Sequence, residues 1–183
     1  TCPSWLSISH TAGASTATLS GTPLNANVGD NSVVISVADA ASATGTQSFT
    51  IAVGNANDAP TITSTAVTSA TEDTAYTYTV TTADDDSDVI TLTGTTVPSW
   101  LTFTASTGVL AGTPLNANVG ANSVVITASD SNGGSVTDTF TITVANTNDA
   151  PAVSSTAVTS ATEDAAYSYS ITTSDDDSDS SDS

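Results

Sequence analysis

An internal repeat of 91 residues is the feature that most constrains how this chain can fold. The string GTPLNANVG begins at Gly21 and again at Gly112, 91 residues later, and NDAP, SATED and DDDSD recur with the same offset. PSWL begins at Pro3 and at Pro98, 95 residues later, so the first copy carries a short insertion after this string. Repetition with a fixed long period is typical of tandem structural units that pack against their neighbours.

The repeat predicts one complete unit between two partial ones. The complete unit, here called the central unit, spans residues 61–151. Residues 1–60, the leading segment, match the C-terminal part of a preceding unit, and residues 152–183, the trailing segment, match the N-terminal part of a following one. Because neither segment can close a two-sheet core by itself, we expect the sequence to be a window on a longer repetitive chain.

Apolar residues in the central unit alternate with polar ones, which is the period of a β-strand with one buried face. The three clearest stripes are Tyr76, Tyr78 and Val80; Val124, Ile126 and Ala128; and Phe140, Ile142 and Val144. Further strands are predicted near residues 62–67, 89–92, 101–103 and 109–111. About seven short strands in roughly 90 residues, separated by Gly, Pro, Asn and Asp, indicate an all-β sandwich. Trp100 is predicted to fill the space between its two sheets.

The balance of charged residues excludes several kinds of partner. The chain has no Lys or Arg, 19 Asp and Glu, and a formal net charge of −19. Binding to phosphate requires Lys and Arg, so we expect neither nucleic acid nor an anionic membrane surface as a partner. No apolar run is long enough to span a bilayer. Carboxylates without basic partners must face water, hydrogen-bond donors or bound cations.

The sequence offers no catalytic arrangement, and we expect a non-enzymatic protein. His10 is the only histidine and lies in the insertion, which predicts a surface loop residue rather than a catalytic base. Cys2 is the only cysteine, so no intrachain disulfide can form. Zinc, which favours Cys and His ligands, is disfavoured as well. A secreted domain without disulfides needs another means of stabilisation, for which a bound metal ion is the natural candidate.

The stretch from Pro98 to Pro151 resembles a known family. Its PSWL turn, GTP turn, SDSNGG loop and NTNDAP linker occur in the order seen in the dystroglycan-type cadherin-like domain, a family that overlaps the Ig-like domains of bacterial surface proteins. The resemblance covers the central unit and both segments. It implies a Greek-key β-sandwich of seven strands, cadherin-like or Ig-like, repeated in tandem along a cell-surface or secreted protein. It also implies Ca²⁺ at the junctions between units.

Oxygen-rich side chains cluster where such junctions are expected, and Ca²⁺ takes about six to eight oxygen ligands. The clusters are the linkers 55–60 and 146–151, the aspartate-rich loop 84–88 with its copy 175–179, and the hairpin loop at Asp39 or Asp130. Since the first strand runs away from the linker and the second returns, linker, aspartate loop and hairpin loop should meet at one pole. Glu72 and Asp73 should lie at the opposite pole, beside the outgoing linker, with Glu163 and Asp164 as their copies.

Two sets of calcium ligands follow from this arrangement and the resemblance together. The predicted set for the first junction is Asn55, Asn57, Asp58, Asp84, Asp86 and Asp130. The predicted set for the second junction is Glu72, Asn146, Asn148, Asp149, Asp175 and Asp177. In each linker the first Asn offers either its side-chain oxygen or its backbone carbonyl. The alternation of Asp84, Asp86 and Asp88 puts every second side chain on the same side of an extended loop.

Charge repulsion favours a cation at these loops. Each pair of like charges about 4 Å apart costs roughly 1 kcal/mol even in water, and a divalent ion reverses the sign. A plain solvated turn is the alternative for any single aspartate, because Asp and Asn are good turn formers. Ser87 departs from the family, which often has Gly between its aspartates, so the geometry of this loop is an open point.

Three functions are compatible with the sequence. The first is a calcium-stiffened extracellular spacer or adhesion segment at the cell surface, with neighbouring repeats, copies of itself, cell-surface proteins or glycans as partners. The second is a self-assembling extracellular fibre subunit, in which the trailing segment of one copy completes the leading segment of the next. The third is a carbohydrate-binding accessory module of a secreted enzyme. That module would need an exposed aromatic platform, whereas Trp5 and Trp100 are predicted to be buried.

Overall fold

Short antiparallel strands make up most of the regular structure. The computed structural model describes residues 1–11 and 13–177, and it has strands throughout and two single 3₁₀ turns, Asn25–Asn27 and Asn116–Asn118. The leading segment contains β1 (Leu6–His10), β2 (Ala17–Gly21), β3 (Gly29–Ala38) and β4 (Thr44–Val53). The central unit contains β5 (Thr61–Ile62), β6 (Ser69–Thr71), β7 (Tyr76–Thr79), β8 (Thr82–Ala83), β9 (Thr91–Thr96), β10 (Leu101–Thr104), β11 (Val109–Gly112), β12 (Gly120–Ser129) and β13 (Ser135–Ala145). The trailing segment contains β14 (Ala152–Val153) and β15 (Thr173–Ser174).

Seven strands of the central unit form two sheets. One sheet has the order β10-β11-β7 and the other the order β6-β13-β12-β9, while β5 and β8 make a separate short pair. Neighbours are antiparallel except β6, which runs parallel to β13. The chain passes from β9 to β10 and β11 in the facing sheet and returns in β12 beside β9, which is a Greek-key connection. The predicted all-β sandwich is therefore confirmed.

The predicted stripes supply the core between these sheets. Leu110, Val124, Ile126 and Ile142 are fully buried, and the tyrosines of β7 pack with them. Each alternate residue faces outward because successive side chains of a strand point to opposite faces.

Two aromatic pairs cap this core with edge-to-face contacts. Tyr76 and Trp100 have ring centroids 5.7 Å apart at 78°. Tyr78 and Phe140 have the same separation at 90°. Trp100 packs against the core as predicted but is only half-buried, and its Nε1 donates a hydrogen bond of 3.0 Å to Asn122 Oδ1. Trp5 is half-buried too and makes the equivalent bond to Asn31.

Two strand predictions were wrong in their boundaries. The strand predicted at 62–67 ends at Ile62, because the chain here leaves β8 and crosses to the other sheet, where β6 pairs with β13. Ser64 marks this crossing: its Oγ accepts a hydrogen bond of 3.0 Å from the Thr81 backbone N–H. The strand predicted at 89–92 begins at Thr91, and Val89 belongs to the preceding loop with 77 % of its surface exposed.

The leading and trailing segments keep the local pairings of the repeat without its complete sheets. β1 pairs with β2 and β3 with β4, each as a hairpin, and β14 pairs with β15. Among residues 1–11 and 13–177 there is no helix with the length and apolarity needed to cross a bilayer.

Leu110 provides a test of the core. We expect Leu110→Ala to lower the free energy of unfolding by about 2–5 kcal/mol, because it leaves a cavity in a fully buried position. Leu115→Ala is the matched control, since Leu115 is 59 % exposed and its truncation should change stability by about 0.5 kcal/mol or less. Urea denaturation followed by tryptophan fluorescence measures both, and equal losses would contradict the assigned core.

Tyr76 should make the fold sensitive to alkali. Burial, with a smaller contribution from Tyr78, raises the pKa of Tyr76 from 10.0 to about 12. A raised pKa means that the folded state holds the proton more tightly, so this stabilisation is complete below pH 10 and is lost as the pH rises towards 12. Denaturation in chelator across this range should show the loss, and Tyr76→Phe should weaken it. An unchanged pH dependence in Tyr76→Phe would contradict the assignment.

Candidate metal centres at the two junctions

The aspartate-rich loop between β8 and β9 is wrapped around one carboxylate. Asp84 Oδ1 accepts hydrogen bonds from the backbone N–H groups of Asp86 at 3.0 Å and Asp88 at 3.1 Å. Ser87, where the family often has Gly, lies in the left-handed region with φ 62°. The backbone at Ser87 thus has the conformation that Gly adopts readily, so the replacement of Gly by Ser has not changed the geometry expected for this loop.

The incoming linker is bonded to this loop. The Asp58 backbone N–H donates a hydrogen bond of 2.6 Å to Asp86 Oδ2. From the β12–β13 hairpin, Asn132 Nδ2 donates a bond of 2.6 Å to Asp88 Oδ2. Asn25, in the 3₁₀ turn of the leading segment, donates its side-chain amide to the carbonyl of Asp85. Linker, aspartate loop and hairpin loop therefore meet at one pole of the central unit.

Two carboxylate oxygens at this pole have no hydrogen-bond partner among the described residues. They are Asp84 Oδ2 and Asp86 Oδ1, and both are buried. One carboxylate oxygen from each of Asp84, Asp86 and Asp88 lies within 4.8 Å of the other two. Buried polar atoms are nearly always paired, because removing them from water without a partner is costly. A cation is the partner that suits two unpaired carboxylate oxygens in a chain without Lys or Arg.

Asp130 and Asn57, both predicted ligands, are bonded to each other. Asp130 Oδ1 accepts hydrogen bonds of 2.8 Å from the Asn132 and Gly134 backbones, and its Oδ2 accepts one of 3.0 Å from Asn57 Nδ2. These bonds, chiefly the one from Asn57, hold the pKa of Asp130 below its usual value. The Asp130 oxygens thus shape the hairpin loop and anchor the linker. Asn55 is exposed and lines a surface recess next to Asp58.

Asp39 holds the matching hairpin loop of the leading segment. Its Oδ1 accepts hydrogen bonds of 2.9 Å from the Ala41 and Ala43 backbones. Asp39 and Asp130 therefore play the same local role in their two copies.

The second junction is centred on Glu72, whose surface is only 2 % exposed. The Glu72 backbone N–H donates to the Ala145 carbonyl at 2.9 Å, and Glu72 Oε2 accepts from the Thr147 backbone at 3.2 Å. One carboxylate oxygen from each of Glu72, Asp73 and Asp149 lies within 4.8 Å of the other two. The outgoing linker therefore passes over the Glu72 turn, as the topology predicts.

Asp177 joins the trailing segment to this linker. Its Oδ2 accepts a hydrogen bond from the Asp149 backbone N–H, and its Oδ1 accepts one of 2.9 Å from Asn146 Nδ2. Asp175 Oδ1 accepts from the Asp177 N–H at 2.9 Å, which is the arrangement of Asp84 and Asp86 again. Asn148 Nδ2 bonds to the carbonyl of Asp149 at 2.9 Å. Asp179, in the predicted copy of the aspartate loop, lies outside the described residues.

Repulsion between carboxylates is visible at the second junction. Loss of solvent, followed by the negative charges of Asp177 and Asp73, raises the pKa of Asp149 above its usual value. Ionisation of Asp149 is thus harder in the protein alone than in a free aspartate, and a bound cation would oppose that effect.

The sequence was a good guide to which loops lie together, and a poorer guide to which residues belong to each carboxylate cluster. Asp73 and Asp88 belong to the two clusters but were not among the predicted ligands. The signal for Asp88 was present, since it is the third member of the alternation that begins at Asp84. The amides of Asn25 and Asn116 were missed as well, although both lie in the repeated string GTPLNANVG. The ligand roles of the twelve predicted residues stay predictions.

Both clusters fit a hard divalent cation. Their carboxylates and nearby Asn oxygens and carbonyls are the donors that Ca²⁺ takes, and no Cys or His lies among them. The unpaired oxygens of Asp84 and Asp86 support this fit on the geometry of the protein itself.

Comparison with known families shows which protein family the chain belongs to. A sequence profile whose description is "Putative Ig domain" matches residues 1–54 and 59–145. The chain belongs to this family. Ig-like domains of this kind are non-enzymatic structural or adhesion modules that are typically found outside cells. A search of curated proteins found no match.

The chain shares its fold with solved structures of cadherin domains. It is similar to the structure of protocadherin gamma B2 extracellular cadherin domains 1–5, with 19 % identity, a TM-score of 0.54, and coverage of 98 % of this chain and 39 % of that one. The protocadherin gammaB4 extracellular domain matches with 20 % identity, a TM-score of 0.52, and coverage of 82 % and 28 %. An endo-fucoidan hydrolase, MfFcnA4, from glycoside hydrolase family 107 matches with 30 % identity, a TM-score of 0.43, and coverage of 80 % and 23 %.

The chain spans between about a quarter and two fifths of the length of these structures. The cadherin matches show the fold alone. The narrower relations predicted from the sequence, to the dystroglycan-type domain and to bacterial surface proteins, stay predictions.

Ser87 allows a test of the loop geometry. Ser87→Gly should raise the free energy of unfolding in chelator by up to about 1 kcal/mol, because Gly adopts positive φ without the clash of a Cβ. Ser106→Gly, in an exposed loop without positive φ, is the matched control and should lower stability through the added freedom of the unfolded chain. Thermal unfolding of both variants decides, and a loss of stability in Ser87→Gly would contradict the left-handed assignment.

Proposed function

We propose that this chain is a calcium-stiffened segment of an extracellular tandem-repeat protein, in which it acts as a structural spacer or adhesion module. Ca²⁺ would bind at the two junctions and hold successive sandwiches in a fixed orientation. The residues proposed to contribute at the first junction are Asn55, Asn57, Asp58, Asp84, Asp86, Asp88 and Asp130. Those proposed at the second junction are Glu72, Asp73, Asn146, Asn148, Asp149, Asp175 and Asp177.

The observation that carries this proposal is the pair of buried, unpaired oxygens at Asp84 and Asp86. They lie in the loop that bonds to the linker, so an ion that pairs them also ties two units together. Without Lys or Arg in the chain, no Lys or Arg side chain can replace the charge of that ion. When bound, Ca²⁺ supplies the positive charge and the coordination that offset the repulsion among these carboxylates.

The division of labour at each junction follows from the contacts. At the first junction, backbone N–H groups and an Asn amide hold one oxygen of each of Asp84, Asp86 and Asp88, and so shape the loop before any ion binds. The remaining oxygens of Asp84 and Asp86 are buried in the loop that bonds to the linker. Chelation should therefore loosen the junctions more than it unfolds the sandwiches, whose cores are apolar.

An extracellular setting is part of the proposal. Extracellular calcium modules often bind at about 10⁻⁴ to 10⁻³ M, a concentration found outside cells but not in the cytosol. Because Cys2 is the lone cysteine, no intrachain disulfide can strengthen the junction, and a metal ion would add to the hydrogen bonds that join the linker to the loops.

A carbohydrate-binding role gains no support from the two tryptophans. Trp5 and Trp100 are half-buried, and each holds its Nε1 in a hydrogen bond to an asparagine.

Asp86→Asn tests the calcium junction. Even residues that only support metal ligands contribute about ten- to hundredfold to affinity, so we expect calcium to bind the first junction at least tenfold more weakly in this variant. Calorimetric titration measures the affinity. Asp138→Asn, in the middle of β13 opposite Ile126, is the matched control and should bind as the unchanged chain does.

The stiffening is measured by small-angle scattering of the unchanged chain. In millimolar calcium we expect a narrow distribution of interatomic distances, and in chelator a broader one with the sandwich signal retained. Scattering curves that coincide in the two conditions would contradict the stiffening. Asp86→Asn in calcium should resemble the unchanged chain in chelator.

A further inference from the structure

Strand β13 has an open edge along its first half. β12 pairs with one side of β13 through residues 135–144, whereas β6 pairs with the other side only through residues 143–145. Between β5 and β6 the chain crosses from one sheet to the other, so it reaches β13 only near the end of that strand. In the part of the chain that the structure describes, no strand pairs with the outer side of residues 135–142. This edge belongs to the central unit, which the repeat marks as complete.

The backbone groups along this edge belong to Thr137, Thr139 and Thr141. The Thr143 N–H donates a hydrogen bond of 2.9 Å to the Thr68 carbonyl, so Thr143 turns its backbone groups away from β12. Residues of an antiparallel strand turn these groups alternately to one neighbour and the other, and β12 and β13 keep one continuous register. Three successive alternate residues therefore offer N–H and C=O groups to the open side. Such an edge is a template for a further strand.

A recess of about 400 Å³ lies beside the open edge. Ile62 and residues 64–66 form one wall, and residues 136–138 of β13 form the other. This volume lies within the range of ligand sites, which is about 300–1,000 Å³. Asp138 lines the recess from the core side of its sheet, because it lies opposite Ile126, which is fully buried. An added strand would therefore meet apolar groups, hydroxyls and one carboxylate.

The recess carries a negative charge that the repeat does not require. Asp138 is half-buried on β13, and its counterpart 91 residues earlier is Gln47. The two residues have the same register, since Asp138 lies opposite Ile126 and Gln47 lies opposite Ile35. The chain contains no Lys or Arg that could pair with this carboxylate. A strand of this kind can therefore be built with an uncharged side chain here, and the charge distinguishes the central unit.

The Asp138 carboxylate selects among the strands that could pair with the edge. An inward-pointing charge at a sheet edge discourages pairing, because a strand with an apolar side chain there would bury the charge without a partner. A strand with an acidic side chain at that position is repelled. Both effects act against a second copy of this chain, which has a net charge of −19 and no basic side chain except His10. A strand with a Lys or Arg at that position is attracted instead.

We propose that the open edge of β13 binds an extended peptide that carries Lys or Arg, and that the peptide adds to the sheet as a further strand. Its backbone pairs with Thr137, Thr139 and Thr141, and its basic side chain lies opposite Asp138. In an antiparallel pairing this is a non-hydrogen-bonded position, where the two side chains lie closest. The negative charge of the chain also draws a basic partner from solution. This binding goes beyond the proposed function, because it does not need calcium.

Three short capped peptides test the mode of binding. The first has the sequence Thr-Val-Thr-Lys-Thr-Val-Thr, so that Lys and both Val residues share one face of the strand. The second has Glu in place of Lys. The third keeps Lys and is N-methylated at the two Thr residues beside it, which removes the N–H groups that would face β13.

Fluorescence anisotropy of labelled peptides measures the affinities. The Lys peptide should show saturable binding at or below about 1 mM. The Glu peptide should bind at least about tenfold more weakly, since opposite charges directly across two strands favour pairing and like charges oppose it. The N-methylated peptide should not bind measurably, because strand addition depends on backbone hydrogen bonds.

Asp138→Gln tests the charge in the recess. It supplies the residue that the leading segment has at the equivalent position, so the fold should be kept. We expect it to weaken binding of the Lys peptide at least about fivefold, through loss of a charge-assisted hydrogen bond, and not to weaken binding of the Glu peptide. Asp30→Gln is the matched control, because it removes the same charge from an exposed position on β3 and should leave both affinities unchanged.

Amide hydrogen exchange locates the bound peptide. The Lys peptide should slow exchange at Thr137, Thr139 and Thr141, in calcium and in chelator alike. Slower exchange along β9, the other edge of the same sheet, in place of these three residues would overturn the proposal. So would a Lys peptide without saturable binding, equal binding of the N-methylated peptide, or an unchanged affinity in Asp138→Gln. Since binding is also measured in chelator, failure of the calcium junctions would not affect this test.

Discussion

The absence of basic side chains is the constraint on which the junctions depend. A chain with 19 carboxylates and no Lys or Arg can balance a buried carboxylate only with N–H donors, hydroxyls or a metal ion. At the first junction the donors are used up in shaping the loops: Asp84 takes two backbone N–H groups and Asp86 takes the one from Asp58. The oxygens that remain, one on each of Asp84 and Asp86, have been withdrawn from water without a protein partner. A cation there would satisfy an electrostatic demand that the fold itself creates.

The linker can approach these loops closely because Gly134, in the hairpin beside it, has no side chain. A Cβ on Gly134 would collide with the Asp130 carboxylate and with Ala59 of the linker. Pro60, which follows Ala59, is fully buried, so the end of the linker packs against the pole of the central unit. Orientation of the two units is thus set by packing and hydrogen bonds, and the cation adds strength to an arrangement that already exists. We therefore expect loss of the ion to affect the junction before the core.

How far the sequence predicts the structure depends on the range of the interaction. The alternating stripes predicted the core strands because burial of one face is a local pattern, and the up-and-down order of those strands predicted which loops share a pole. The crossing of the first strand at Ser64 was missed, since alternation alone cannot show that a strand leaves one sheet for the other. Asp73 was missed as a cluster member because membership depends on angstrom-scale placement, which the spacing of residues does not contain, whereas Asp88 could have been included from its place in the alternation that begins at Asp84. The same limit applies to Asp130, whose carboxylate is occupied by its own loop and by Asn57.

Identity between the repeats gives the two junctions one geometry. Asn25 bonds to the Asp85 carbonyl at the first junction, and Asn116 bonds to the Asp176 carbonyl at the second. The Asp58 and Asp149 backbones likewise donate to equivalent aspartates. In an array where each unit contacts only its neighbours, the same contacts at every step produce the same rotation at every step. Small differences in orientation at single junctions would otherwise add up along the chain. The same hydrogen bonds, and the same ion, at each junction would therefore make the tandem sandwiches a regular rod.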